Sequence, residues 1–148
     1  MQQTISFLLA NICKAHRQRA NALLSGLGLH AGQEMLLMRL WEQDGRTQSE
    51  MSESMCVQAA TLTTMLQRME SAGLMERRKD PDDQRVSRVF LTGAGKALKP
   101  SLDEVWQRLE GETLANLTLD ERVLLRRLLL QVRDNLSADE TVPLTGAV

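Results

Sequence analysis

The chain has 148 residues, of which 43% are hydrophobic and 25% charged, and its formal net charge at pH 7 is −1. This composition is that of one globular domain with a buried core, and it excludes wholesale disorder. The apolar run from Ile5 to Ile12 is too short to span a membrane and has no basic flank or small-residue cleavage site, so we expect a cytoplasmic protein.

Apolar residues recur at helical spacing along most of the chain, with one interruption by alternating residues. The first predicted elements are a helix from Ile5 to Leu27, a helix from Met35 to Trp41, and a short helix that begins at a Thr47–Glu50 capping box. A fourth helix carries Leu62 to Met69 and ends at Gly73, and a hairpin of residues 74–79 and 86–91 follows it. The chain then returns to helix from Gly93 to Leu109, with an interruption at Pro100, and a last helix runs from a Thr118–Glu121 capping box to Leu136. The tail beyond it is predicted to fray.

The last predicted helix is apolar on more than one stripe, and the first helix is apolar in the same way. A helix of a small monomer needs only one buried face, so the additional apolar surface predicts a dimer interface at both ends of the chain. The domain boundaries that follow are an N-terminal dimerisation helix (1–30), a central region with the short helices and the hairpin (31–92), C-terminal dimerisation helices (93–136) and a flexible tail (137–148), all within one compact chain.

The predicted hairpin carries basic residues on both strands, whereas its tip, residues 80–84, is acidic turn sequence. Two short helices followed by such a hairpin indicate a winged helix-turn-helix. The fold class is therefore mainly α with a minor β part, with a two-stranded wing flanked by dimerisation helices.

Cations on a protruding hairpin beside an exposed helix suit a DNA duplex, because the helix can enter the major groove while the wing follows the backbone. The predicted wing and phosphate contacts are Arg68, Arg77, Arg78, Lys79, Asp83, Arg85 and Arg88.

The second helix of the helix-turn-helix supplies short polar side chains that can meet base edges in the major groove. The candidates are Gln58, Thr61, Thr63, Thr64 and Gln67. An ordinary polar helix face is the alternative interpretation of these five residues, and some of them are expected to face inward. Only 3% of the residues are aromatic, which argues against a surface that stacks single-stranded bases.

In these segments the sequence resembles the MarR family of bacterial transcriptional regulators. The matching fragments are Glu50 to Glu53, Thr61 to Thr63, Arg68 to Arg77, Asp80 to Arg85, and Leu91-Thr92. The resemblance implies a homodimer that binds a pseudo-palindromic operator and, in most cases, represses until a small anionic or phenolic ligand or an oxidant releases it. It also implies that Arg85 enters the minor groove while Asp83 orients it through a bidentate pair.

A sensor or effector site is predicted from residues near the junction of the first two helices. The candidates are Cys13, His16, Arg17 and Arg39. Cys13 lies close to positive charge, which favours a reactive thiolate and suggests a redox-sensing regulator. The preferred interpretation of Cys13 is nevertheless a buried small hydrophobic residue. A helical dimer that acts through protein contacts, with a non-functional wing, is the alternative from another functional class.

Enzymatic and metal-dependent functions are not expected. The sequence has no Cys-x-x-Cys, His-Glu-x-x-His, Gly-x-Ser-x-Gly or glycine-rich phosphate loop. An EF-hand loop that began at Asp80 would need glycine in place of Arg85 and glutamate in place of Leu91. We therefore predict no catalytic residues, no bound metal and no cofactor.

Overall fold

A computed structural model describes residues 4–137 of the chain. The elements are α1 (Ile5–Ser25), α2 (Gln33–Glu42), β1 (Arg46–Thr47), α3 (Gln48–Met55), α4 (Ala59–Ser71), β2 (Met75–Lys79), β3 (Ser87–Leu91), α5 (Gly93–Ala97), α6 (Lys99–Thr113) and α7 (Leu119–Ser137). The chain forms two compact units, Met1–Glu110 and Gly111–Val148. The tail predicted for residues 137–148 lies, beyond Ser137, outside the described residues. The winged helix-turn-helix fold is confirmed.

The helix ends follow from local hydrogen bonding. Thr47 and Glu50 form the predicted capping box at the start of α3, with the Thr47 hydroxyl accepting from the Glu50 amide at 3.1 Å. At the end of α4, Gly73 adopts a φ of 73°, where a side chain would be strained. The Leu74 amide donates to the Met69 carbonyl at 3.1 Å and closes a Schellman motif. The chain thereby turns directly from α4 into β2.

The sheet has three antiparallel strands in the order β1-β3-β2, one more than the two-stranded wing predicted from sequence. The additional strand, β1, pairs Arg46 with Val89 and Thr47 with Arg88. The predicted two-stranded wing is confirmed as the hairpin of β2 and β3. The additional strand β1 was not predicted because a strand of two residues is too short to produce an alternating pattern. β1 joins the long hairpin of β2 and β3 to the start of α3, and so attaches the wing to the helix-turn-helix.

Pro100 lies at the beginning of α6, and the predicted interruption is present as a break at Leu98 between α5 and α6. Proline fits the first turn of a helix because its missing N–H would have no intrahelical acceptor there. α5 packs under the sheet, where the Trp41 indole N–H donates to the Gly95 carbonyl at 3.2 Å.

One hydrophobic core holds the helix-turn-helix and the base of the wing together. Its fully buried members include Leu24, Leu36, Leu37, Leu40, Met51, Leu62, Leu66, Met69, Met75, Val89 and Leu102. In contrast, α7 has no buried residue in the described chain. None of the helices within residues 4–137 is both long enough and apolar enough to cross a bilayer.

Candidate nucleic-acid interface

Helix α4, the second helix of the helix-turn-helix and called the recognition helix below, has one buried face and one exposed face. Leu62, Leu66 and Met69 are buried in the core. The opposite face exposes Thr61, Thr64, Gln67 and Arg68. These exposed residues recur at intervals of three and four, which is the spacing of one helical face. Gln58 is also exposed and is the N-cap residue of α4, whereas Thr63 is half-buried at the edge of the face.

The polar side chains of α4 differ in the hydrogen-bonding groups that they leave available. Thr63 and Thr64 donate their hydroxyl hydrogens to the carbonyls of Ala59 and Ala60, at 2.9 and 3.2 Å. Their oxygens therefore remain as acceptors only. Gln58 makes no side-chain capping bond. Its amide offers both donors and an acceptor at the exposed start of the helix.

At the wing tip, Asp83 and Arg85 form a two-point pair. Arg85 donates from Nε to Oδ1 at 3.1 Å and from Nη2 to Oδ2 at 3.2 Å. Its backbone N–H also donates to Oδ1 at 3.0 Å. These bonds hold the pKa of Asp83 below its ordinary value. The Arg85 side chain is nevertheless 91% exposed, so the pair fixes its direction and leaves it accessible.

Asp80 organises the turn beneath this pair. Its Oδ1 accepts from the backbone N–H groups of Asp82 and Asp83, at 2.8 and 3.2 Å. Its Oδ2 accepts from Nε of Arg88, and these contacts lower the pKa of the Asp80 carboxyl. Arg88 also donates from Nη1 to the Gly45 carbonyl at 2.9 Å. The guanidinium of Arg88 therefore connects the wing tip to the segment that precedes β1.

Arg77 and Arg78 are adjacent in β2 but lie in different environments. The Arg77 guanidinium is held by Glu70 of α4, with Nη2 and Oε2 separated by 2.6 Å, and both side chains are 28% exposed. Arg78 pairs with Glu76 and stacks over the Phe90 ring, 4.7 Å from its centroid, but remains 61% exposed.

The cations predicted to contact DNA therefore form two groups. The exposed group contains Arg68, Arg78, Lys79 and Arg85, of which Arg78 and Arg85 pair with carboxylates of the same hairpin. The half-buried group contains Arg77 and Arg88, which connect the wing to α4 and to the segment before β1. Sequence reasoning missed the partners Glu70 and Asp80. The spacing of seven residues between Glu70 and Arg77 crosses a helix end and a turn, so no single periodicity could have identified the pair.

A groove of about 570 Å³ separates the wing from the starts of α3 and α4. The wing contributes Arg85, Val86 and Ser87, and the helix starts contribute Thr47, Gln48, Ser49 and Ala59. Helix N-termini carry partial positive charge and free N–H groups, both of which favour phosphate oxygens. Arg85 and the uncapped start of α4 therefore attract anions to the groove, whereas the Glu53 carboxylate in the same lining opposes them.

A separate cleft of about 600 Å³ brings together three of the four predicted effector residues, Cys13, His16 and Arg17 of α1. Arg39 does not line it and instead pairs with Glu42 at 3.3 Å. The preferred interpretation of Cys13 as a buried residue was wrong, because α1 is exposed throughout residues 10–19 and Cys13 lies there as an exposed free thiol. Within residues 4–137, no cluster of His, Cys, Asp and Glu could hold a metal ion.

The cleft also contains two residues that sequence reasoning did not select, Glu34 of α2 and Trp106 of α6. Both occur within apolar helical patterns, where they are expected at the boundary of the core. Their position in a cleft depends on how α1, α2 and α6 pack, which no local pattern reveals.

Comparisons with known proteins agree with this architecture. The sequence model of the MarR family matches residues 29–87. The transcriptional regulator TtmR of Methylorubrum extorquens is 31% identical over 138 residues, which cover 93% of this chain and 70% of that protein. The organic hydroperoxide resistance transcriptional regulator of Bacillus subtilis is 32% identical over 99 residues, 67% of each chain.

A solved structure extends the likeness to three dimensions. The crystal structure of a MarR mutant from E. coli complexed with operator DNA has a TM-score of 0.75 and 32% sequence identity to this chain. The match covers 86% of this chain and 92% of that one. The two relatives named above are transcriptional regulators. The chain belongs to the MarR family of transcriptional regulators.

Proposed function

We propose that this chain is a homodimeric regulator that binds a pseudo-palindromic site in duplex DNA, represses transcription there, and is released by a small ligand. The observation that carries the proposal is the 91% exposed Arg85, which Asp83 orients at the wing tip beside the polar face of α4. A preorganised guanidinium loses little conformational entropy when it enters a narrow minor groove.

Each part of the interface receives a role in this proposal. The exposed side chains of α4 read base edges in the major groove, with Gln58, Thr61 and Gln67 as candidate donors. Arg68, Arg78 and Lys79 contact phosphates, and Arg85 enters the minor groove. We assign Arg77 and Arg88 to bracing the wing, because Glu70 and Asp80 already hold their guanidinium groups. The DNA complex of the E. coli relative supports a duplex as the ligand.

Dimer formation is supported by apolar surface that is exposed on α1 and on α7 within residues 4–137. On α1, Ile5, Leu8 and Ile12 recur at helical spacing and are 69%, 42% and 50% exposed. On α7, the exposed apolar residues are Leu119, Val123, Leu124, Leu128, Leu129 and Leu136. Burial of a leucine or isoleucine side chain contributes about 1.5–3 kcal/mol, so a second copy that covers either helix gains substantial free energy. Two copies present two recognition helices, as a pseudo-palindrome requires.

Ligand release is supported by the position of the cleft between α1, α2 and α6. α2 packs against α3 and β3, which belong to the DNA-binding part of the chain. A ligand that shifts α2 would therefore shift the recognition helix and the wing, and would favour a dimer with the wrong spacing for the operator.

The test is a fluorescence-anisotropy titration of the purified protein against duplex from its own upstream intergenic region and against a scrambled duplex. We expect preference for the native duplex and a log–log salt slope of about −0.9 per phosphate contact. Arg85→Ala is expected to weaken binding about tenfold or more while the dimer stays intact. Lys14→Ala, which removes a cation from α1, is the matched control. Equal affinity of the wild type and the Arg85 variant would refute the assigned role of Arg85.

A thiol switch is a second candidate for the release signal, favoured by the exposure of Cys13 at the cleft. The similarity to the organic hydroperoxide resistance transcriptional regulator of B. subtilis supports a response to peroxides. Treatment with an organic peroxide should then release DNA from the wild type but not from Cys13→Ser. Retention of the wild-type complex in peroxide would eliminate this candidate.

A further inference from the structure

The inner part of the cleft between α1, α2 and α6 holds a carboxylate with an unmet hydrogen-bonding requirement. Glu34, the second residue of α2, is only 7% exposed. Its Oε2 is shielded from solvent and has no hydrogen-bond partner within residues 4–137. Burial raises the pKa of the Glu34 carboxyl, and hydrogen bonds from the backbone N–H groups of Glu34 and Gly32 offset this rise only in part. A buried carboxylate oxygen without a donor is costly, and most such groups in proteins are paired.

A second unpartnered polar group borders the same cleft. The indole N–H of Trp106 is buried and has no acceptor among the described residues. The remaining walls include the apolar side chains of Ile12, Ala20 and Ala31. The cleft therefore combines an apolar lining with one acceptor and one donor that the protein leaves unsatisfied, which is the usual composition of a small-molecule site.

The contribution of each charged residue to the ligand selectivity of the cleft depends on how exposed its side chain is. Arg17 and His16 also line it, but both are exposed on α1, where water and salt screen their fields. Glu34 lies where solvent is largely excluded, and charge interactions are stronger there. The carboxylate of Glu34 therefore dominates the electrostatic selectivity of the inner cleft, although the cations lie at the same opening.

We propose that the cleft binds a small amine, protonated at neutral pH and attached to an apolar body, whose ammonium group donates to Glu34. An oxygen on the ligand would accept from the Trp106 N–H, and the indole ring offers a face for the cation. The proposal rests on the proposed ligand-responsive function. It differs from the anionic or phenolic effector implied by the family resemblance, because a carboxylate ligand would meet Glu34 as a like charge.

The test compares three ligands that share a phenyl group and differ in charge: 2-phenylethylamine, 2-phenylethanol and phenylacetate. Binding to the full chain without DNA is measured by isothermal titration calorimetry and by the change in tryptophan fluorescence, since Trp106 borders the cleft. We expect the amine to bind about tenfold more tightly than phenylacetate, as a charge-assisted hydrogen bond to Glu34 requires. Glu34→Gln is expected to remove most of this preference.

The control variant is Lys14→Gln, which removes a positive charge from an exposed residue of α1 outside the lining of the cleft. It should leave the preference for the amine in place. Tighter binding of phenylacetate, no binding of the amine, or an unchanged ratio in Glu34→Gln would each overturn the proposal. The wild-type ligand series is decisive even if a Glu34 variant fails to fold.

Operator binding of the unliganded protein is measured separately. Loss of amine binding with intact operator binding would therefore reject the ligand assignment alone, whereas failed operator binding would reject the proposed function.

Discussion

Glu70, near the end of α4, holds Arg77, near the start of the wing, through three hydrogen bonds. The Arg77 backbone N–H donates to Oε1 at 2.9 Å, and Nε and Nη2 of its side chain donate to Oε2 at 2.9 and 2.6 Å. One carboxylate therefore fixes both the strand backbone and its side chain against the recognition helix. The angle between α4 and the wing is set by this contact together with the Schellman turn at Gly73.

The first prediction concerns this contact between Glu70 and Arg77, called the brace below. Glu70→Gln is expected to lower the free energy of unfolding by about 1 kcal/mol, since the pair is partly screened by solvent. Operator affinity should fall further than this loss of stability explains, about tenfold, because the wing would no longer be held at one angle to α4. Anisotropy titration and thermal unfolding of the same samples measure both effects. Glu76→Gln, which removes the exposed partner of Arg78, is the matched control. Equal affinities of the two variants would show that the brace does not position the wing.

The second prediction concerns acid. The carboxyls of Glu70, Asp80 and Asp83 have pKa values lowered by their contacts with Arg77, Arg88 and Arg85 respectively. A depressed native pKa means that the stabilisation is present above the unfolded values of 4.5 and 3.8 and is lost as pH falls through the native values. We expect the wing to lose order progressively as pH falls below the unfolded value of 3.8, while the apolar core persists. Hydrogen exchange of β2 and β3 amides against those of α2, at pH 7 and pH 3.5, measures this. Equal loss of protection in both regions would contradict it.

The sequence predicted the helices and the hairpin because their signals are local. The capping box at Thr47, the glycine after α4 and the acidic turn at residues 80–84 each involve neighbours within a few positions. The contacts that orient the wing are not local. Arg88 reaches the Gly45 carbonyl across 43 positions, and the Leu91 N–H donates to the Asp44 carboxylate across 47.

For the same reason, the exposure of the candidate site residues could be predicted for some of them and not for others. Exposure of Thr61, Thr64 and Gln67 follows from helical spacing, so the face of α4 could be read from the sequence. Whether a given arginine side chain is exposed or half-buried depends on which elements the fold brings to it. Arg77 and Arg85 look alike in the sequence, but one lies against Glu70 and the other extends from the tip.

The third prediction tests the packing of α5 under the sheet. A Cβ atom added at Gly95 would lie 2.0 Å from the Leu74 carbonyl oxygen and 3.1 Å from Cδ2 of Leu91. Backbone must move to relieve such a clash, so Gly95→Ala is expected to destabilise the fold by about 3 kcal/mol or more. Gly93→Ala, two residues earlier in the same helix, meets no atom within 4 Å and is the control. Denaturant unfolding should show a large loss for the first variant and a small change for the second. Similar midpoints for both would refute the packing argument.

The fourth prediction concerns Glu34, whose effect on stability has the opposite sign to that of the wing carboxylates. Burial raises its native pKa above the unfolded value of 4.5, so the folded state favours the protonated carboxyl. The favourable contribution of this carboxyl to the free energy of unfolding is fully present below pH 4.5 and is lost as pH rises through the native pKa. Glu34→Gln, which mimics the protonated group, should therefore raise Tm at pH 7.5, by about 2–4 °C for each kcal/mol recovered.

At pH 4 the two proteins should differ less, because the wild-type carboxyl is then mostly protonated in both the folded and the unfolded state. Glu53→Gln, an exposed neutralisation on α3, controls for the change in net charge. Scanning calorimetry of the three proteins at both pH values measures the difference. A Glu34→Gln variant that is less stable than the wild type at pH 7.5 would show that the carboxylate has a partner in solution. The cleft would then have no unmet charge to offer a ligand, and the amine assignment would lose its physical basis.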